Sequence, residues 1–407
     1  MNKKKKMNLW IFNHYALPPS IPGGTRHYDI SRELVKNNHS VTIFAASFHY
    51  NTLEDFKTYD KNFFIEENIN GINFVWFKTI PYKSNGIARL RNMISYNLAV
   101  RKYLKTKKLE KPDIIIGSTV HLFAVNLAYN ISKKYKSKFF VEVRDFWPYT
   151  LVALGKMSKY HPLVLLFSYL EKKLYKKAEK VITLFDKGYL YLNKFIPNEK
   201  IILIPNSFNT DILQNLKETE KLDKEYFNVV YSGTVGVAND VMTLIQSAKY
   251  LKDNKKIRIN IIGEGKEKEM IIEYCTKNNV ENIVFYSQVT KNELIPILQK
   301  ASVLWVGLKD SILYEFGFSM NKVYDYMASK VPIIISTSVE NNIIDQANCG
   351  KTIEPESPEI LAETIIEFYN KPEVERKILG ENGFNFLMDN ITTQSVAKNL
   401  INELQVS

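Results

Sequence analysis

Short apolar runs, each followed by a segment of helical spacing, recur along this chain in two successive series, and that alternation restricts its fold more than any other feature. The first series occupies residues 9–12, 41–44, 72–77, 113–116, 139–143 and 181–184. The second occupies 228–232, 257–262, 283–286, 303–307, 333–336 and 350–353. Such runs read as strands buried on both faces, and a strand that returns parallel to its predecessor needs a crossover, usually a helix. The pattern predicts an α/β chain of two doubly wound, Rossmann-like domains. Its 407 residues suffice, since a domain takes roughly 150.

The pattern breaks at IPNSFNTDIL, residues 204–213, and a Lys/Glu-rich stretch follows to Glu225. Domains are therefore expected over 1–205 and 206–385. The closing segment, 386–407, has helical spacing and no strand after it, so it either packs outside the second sheet or crosses back to the first domain. A composition of 45% hydrophobic and 24% charged residues excludes a disordered chain. Cys275 and Cys349 are too few for a disulfide framework and lack metal-ligand spacing. Residues 114–132 carry no charge, yet Gly117, Ser118, Thr119, His121, Asn126 and Asn130 divide them into strand, turn and helix rather than a membrane span. The run 9–12 is too short for a secretory core, so a cytoplasmic protein is expected.

The net charge of +12 favours anionic partners. The lysines are spread over both halves, which argues against a nucleic-acid face. Ligands of open α/β sheets bind beyond the carboxyl ends of the strands, so the loops there carry the candidate residues. Gly23, Gly24 and Thr25 follow the first strand, ahead of Arg26 and a helix, where backbone approaches a phosphate or simply turns. Arg144, Asp145 and Trp147 close the fifth run; they hold a substrate hydroxyl or form a structural ion pair. His121 is similarly placed, as a catalytic group or a packed histidine. Gly233 and Thr234 open the second domain in a loop suited to a diphosphate, whereas Gly263-Glu264-Gly265 reads as structural because of its acid.

The most specific element is EFGFSMNKVYDYMASKVP, residues 315–332. Its short helix, 321–328, is expected to be capped by Ser319 and Asn321, with Lys322 adding full charge at an anion site and Asp325 one turn on to accept from ribose hydroxyls.

Taken in order, the Gly-Gly-Thr-Arg loop at 23–26, the IPNS linker, the YSGT loop at 231–234, IIGEG at 261–265 and FGFSMNK-x-x-DYMA-x-x-x-P at 316–332 resemble the family 4 retaining glycosyltransferases of GT-B fold. The resemblance spans nearly the whole chain and implies two domains facing a cleft. Asn13-His14-Tyr15, residues 22–26, 144–148 and 319–322 are similar to transferases of N-acetyl-L-fucosamine and related amino-deoxy sugars in bacterial capsule and O-antigen assembly.

The resemblance implies a UDP-sugar donor held by Gly23, Gly24, Thr25, Gly233, Thr234, Ser319, Asn321, Lys322 and Asp325, with Glu315 contacting the sugar. Glu315 stands ten residues before Asp325, not the eight of the family's paired acids. A lipid-diphosphate-linked saccharide acceptor would meet Arg26, Arg144 and Trp147, with Asp145, Lys322 and His121 as catalytic groups. Retention would follow front-face attack, the leaving phosphate oxygen taking the acceptor proton while Asp145 orients the acceptor. No D-x-D occurs, so neither metal nor another cofactor is expected. A nucleotide-sugar epimerase or phosphorylase on the same architecture is the alternative.

Residues 161–180 place Leu163, Leu166, Leu170 and Leu174 on one stripe, with Lys172, Lys173, Lys176, Lys177 and Lys180 near its end. This segment either lies on the anionic inner face of the cytoplasmic membrane or packs on the sheet with solvated lysines.

Overall fold

Every run of the two series forms a strand, within two residues of its expected limits. The computed structural model describes residues 6–84, 86–119, 121–217 and 222–406. They divide into two units, Met1–Pro205 with Thr393–Ser407, and Asn206–Thr392.

The first unit runs β1 (Asn8–Phe12), α1 (Arg26–Lys36), β2 (Ser40–Ala46), β3 (Phe64–Ile69), β4 (Ile72–Phe77), α2 (Ile87–Thr106), β5 (Ile114–Ser118), α3 (Leu122–Tyr135), β6 (Lys138–Val143), α4 (Tyr149–Ala153), α5 (Pro162–Lys177), β7 (Lys180–Thr183), α6 (Tyr189–Leu192) and β8 (Ile201–Leu203). Its sheet has the order β3-β4-β2-β1-β5-β6-β7-β8. All neighbours are parallel except β3 and β4, which form a hairpin. Asn70 and Gly71 close it at positive φ, 52° and 85°, the geometry that a two-residue turn between right-twisted strands requires.

The second unit runs β9 (Phe227–Ser232), α7 (Val241–Ser247), β10 (Ile257–Ile262), α8 (Lys268–Lys277), β11 (Ile283–Tyr286), α9 (Lys291–Leu298), β12 (Val303–Gly307), α10 (Asn321–Ala328), β13 (Ile333–Ser336), α11 (Ile343–Gln346), β14 (Gly350–Ile353), α12 (Pro358–Asn370) and α13 (Glu373–Asn390). Its sheet is parallel throughout, in the order β11-β10-β9-β12-β13-β14. β9, β12 and β13 are buried along their whole length, which is why they read as continuous apolar runs rather than alternating ones.

The closing segment divides at Thr393. α13 stays with the second unit, whereas α14 (Thr393–Val406) belongs to the first. Val396, Ala397, Leu400, Ile401 and Leu404 enter the same apolar core as Tyr28, Ile30 and Leu34 of α1. Lys180 of β7 pairs with Glu403 at 2.5 Å. The uncharged run 114–132 is β5 followed by the start of α3. No helix among the described residues is long and apolar enough to cross a membrane.

Candidate functional site

β9 ends at Ser232 and the chain turns through Gly233 at φ 138°. A Cβ there would stand 2.9 Å from Lys322 Cε, so the glycine lets the lysine reach the loop. Lys322, in the first turn of α10, donates to the Tyr231 hydroxyl at 3.0 Å and to Asn239 Oδ1 at 2.8 Å. Its Nζ also lies 4.3 Å from the Tyr231 ring centre. None of these partners is a carboxylate. Burial pushes the ammonium down to about 7, and a negative ligand would restore its charge. A cation held by neutral partners is poised to receive an anion.

One turn along α10, Asp325 is buried and accepts from Lys291 Nζ at 3.0 Å. Burial raises its carboxyl above the usual range, with Lys291 opposing. Asp325 and Lys291 line a cavity of about 220 Å³ with Ser232, Gly233, Thr234 and Gly263. The IIGEG turn, expected to be structural, borders this cavity as well. A Cβ at Gly263 would sit 2.0 Å from the Gly233 carbonyl oxygen, so the two turns lie back to back. Gly233 N–H donates to Ile262 O and Val235 N–H to Glu264 O, each at 2.9 Å. Those two amides are thus occupied by the neighbouring turn, and the loop offers a diphosphate fewer donors than its composition suggests.

Ser319 and Asn321 do not cap α10. Met320 is the N-cap residue, with no side-chain cap, and Asn321 is exposed as the first helical residue. Ser319 instead fixes the linker: its Oγ accepts from Asn206 N–H and its carbonyl accepts from Asn206 Nδ2, both at 2.8 Å. Glu315 is exposed at the end of a 3-10 turn and lies outside the cavity lining.

In the first unit, Arg26 is the main correction. Instead of facing an acceptor it is buried, donating through Nε to Glu142 Oε1 at 2.7 Å and through its terminal nitrogens to the Ile204 and Pro205 carbonyls. His27 Nε2 lies 2.6 Å from Glu142 Oε2. Burial alone would raise Glu142, but His27 and Arg26 hold it well below the usual carboxylate range. This buried triad ties α1 to β6 and to the end of the first unit. Thr25 donates to Asp29 Oδ2 at 2.5 Å, Gly23 is crowded by Leu17 at φ 146°, and Gly24 has open space around it.

His121 is buried and has two partners: Nδ1 accepts from Ala124 N–H at 3.1 Å, capping α3, and Nε2 faces His14 Nδ1 at 2.8 Å. Burial lowers it to about 3, so it is neutral and unsuited to act as an acid. Of the two readings of Arg144 and Asp145, the structural ion pair is not formed: no salt bridge joins them among the described residues. Asp145 keeps solvent contact inside a crowded recess, whose desolvation raises its carboxyl, with Arg144 opposing. Trp147 packs edge-on against Phe167 of α5.

Sequence reasoning missed Lys291 and did not connect Tyr231 or Asn239 to Lys322. Lys291 opens α9 behind the Thr290/Glu293 capping box, a signal visible in the sequence. Nothing in the sequence marks Tyr231 and Asn239 as partners of Lys322.

Comparison with known proteins decides the family. A domain described as "Glycosyl transferase 4-like domain" matches residues 23–207, and "Glycosyl transferases group 1" matches residues 226–371. The chain is a family 4 glycosyltransferase. An uncharacterized glycosyltransferase of Methanocaldococcus jannaschii is 22% identical to it over 97% of both chains. Another from the same organism is 28% identical over 51% of this chain and 56% of its own length, so that match spans about half of each.

Solved structures place the glycosyltransferase in the GT-B fold. Sucrose-phosphate synthase from Thermosynechococcus elongatus superposes with a TM-score of 0.72 at 14% identity over 97% of each chain. The trehalose-6-phosphate protein of E. coli bound with UDP-2-fluoro glucose gives 0.71 at 12%, over 98% of this chain and 99% of its own. Anabaena HepE in complex with UDP and glucose gives 0.67 at 13%, over 98% and 100%.

Proposed function

We propose that this glycosyltransferase moves an amino-deoxy sugar, best matched by N-acetyl-L-fucosamine, from a UDP-sugar to a lipid-diphosphate-linked saccharide in capsule or O-antigen assembly, with retention at the sugar. The observation that carries the reading is the pairing on α10 of a lysine without an anionic partner among the described residues and a buried carboxylate one turn later, beside a cavity at the carboxyl end of β9. Lys322 would neutralise the departing diphosphate and Asp325 would accept from ribose hydroxyls. HepE with UDP and glucose supports the choice of a UDP donor. Asp145, exposed at the end of β6 with a raised carboxyl, would orient the acceptor hydroxyl as the leaving phosphate oxygen takes its proton. No metal is proposed in this step.

The acceptor's lipid would bring the enzyme to a bilayer. α3 lies between α2 and α5 and touches both. α2 and α3 contain no acidic residue, and the single acid of α5, Glu171, is buried. α5 packs inward through Leu170 and Leu174, as half of its expected stripe should, while Leu165, Leu166 and Tyr169 face solvent beside Lys172 and Lys176. α2 turns out Ile87, Ile94 and Leu98 with Arg91 and Arg101. Exposed apolar and basic side chains on neighbouring helices without exposed acids of their own suit an anionic membrane surface.

The test is to incubate the protein with a panel of UDP-sugars, with and without membrane extract bearing lipid-diphosphate-linked monosaccharide, in the presence of EDTA. Extract-dependent UDP release and a gain of one amino-deoxy sugar on the lipid are expected. Conversion or UDP release without an acceptor would favour the epimerase or phosphorylase instead.

A further inference from the structure

Three polar groups at the carboxyl edge of the first unit's sheet have no role in the site described above. His14 follows β1, its ring stacked between Tyr15 at 4.3 Å and Tyr96 at 4.4 Å. It has no solvent exposure, and its Nε2 has no hydrogen-bond partner among the described residues. Arg89, in the first turn of α2, has a buried Nε in the same condition. The Tyr15 hydroxyl, close to Arg89 and Tyr82, has no partner at ordinary hydrogen-bond distance.

The hydrogen-bond chain behind His14 determines which proton it carries. Ala124 N–H can only donate, so His121 Nδ1 is an acceptor and the neutral ring carries its proton on Nε2. That proton points at His14 Nδ1, 2.8 Å away, which is therefore also an acceptor. His14, kept neutral by burial, by His121 and by Arg89, then holds its own proton on Nε2. A backbone amide thus sets two imidazoles in series and leaves an N–H donor without an acceptor. The charge acting on His14 and His121 comes from Arg89, and no carboxylate is among the groups that shift them.

We infer that His14 Nε2–H, the Arg89 guanidinium and the Tyr15 hydroxyl form a subsite for an oxyanion of the acceptor, a phosphate or a carboxylate. Buried donors left unsatisfied are costly, and a bound anion with two or more acceptor oxygens would satisfy all three at once. Arg89, half-exposed at the start of its helix, is the member that would move to admit the ligand. The inference rests on the reading that the first unit holds the acceptor.

The test is nuclear magnetic resonance of the histidine side chains in the full chain with UDP present at saturation, titrating inorganic pyrophosphate, inorganic phosphate and acetate separately. The His14 Nε2–H resonance should shift saturably with at least one of them; pyrophosphate or phosphate alone would identify a phosphate site and acetate alone a carboxylate site. Arg89→Gln should weaken that binding about tenfold or more, and Tyr15→Phe less, with UDP affinity unchanged in both. A His14 resonance unmoved by all three anions, or equal affinity in Arg89→Gln, would overturn the subsite. Because this readout needs no sugar transfer, a transferase assay that fails while the shift persists would sink the reaction and leave the anion site standing.

Discussion

The first strand of each unit leads through a glycine-bearing loop to a helix, and each loop has a basic residue against it, Arg26 at the start of α1 and Lys322 from α10, yet the two cations have opposite situations. After β1, Arg26 is turned inward onto Glu142 and two carbonyls, and the carboxylate answers both Arg26 and His27. Against the loop after β9, Lys322 of α10 meets only a phenol and an amide among the described residues, and burial disfavours its charge. A basic residue beside a glycine loop is therefore a ligand group only when its own fold leaves it without a carboxylate. The first cation stabilises the fold and the second is available for binding.

That contrast is most open to attack at Glu142. Glu142→Ala strands Arg26 in the interior, and breaking a buried pair in this way costs about 3–5 kcal/mol. Urea unfolding should register that loss; a change below about 1 kcal/mol, the scale of an exposed pair, would mean the triad is not structural. Next in size is Lys322→Ala. Removing a donor aimed at developing negative charge lowers kcat by about 10²–10³, and the thermal midpoint should hold because no carboxylate is orphaned. A large fall in the midpoint with kcat preserved would exchange the roles of the two cations.

The pH dependence sharpens the same point. Burial pushes the Lys322 ammonium down to about 7, and the proposed role needs it protonated, so kcat/KM for the donor should fall as pH rises through about 7. In Lys322→Ala that limb should disappear; a limb that survives belongs to another group. The smallest effect concerns the bilayer. Replacing Lys172 and Lys176 with Ala should weaken binding to anionic vesicles by about 2 kcal/mol, roughly thirtyfold, at about 1 kcal/mol for each lysine near the surface. Lys277→Ala, on exposed α8 of the second unit, is the control expected to change nothing.

The fold was legible because buried parallel strands announce themselves as apolar runs, and the helix Asn321–Ala328 formed where its sequence placed it. β3 escaped because its exposed face breaks the apolar run; the Asn70-Gly71 pair before Ile72 was the available signal for a hairpin. Lys322 and Asp325 could be read as a candidate site from their spacing on one helix. The fate of Arg26 could not, since Glu142 lies 116 residues away and only the β1-β5-β6 neighbourhood brings it close. His121 likewise gave no sign in sequence that a backbone amide and His14 would occupy both ring nitrogens.

The division of labour between the units is the central claim, and hydrogen–deuterium exchange with UDP alone tests it most directly. Protection is expected in the second unit, over residues 231–240, 261–268, 288–294 and 319–328, with residues 13–16 and 86–92 unchanged. Protection concentrated in those two stretches of the first unit, with the second unit unaffected, would contradict it.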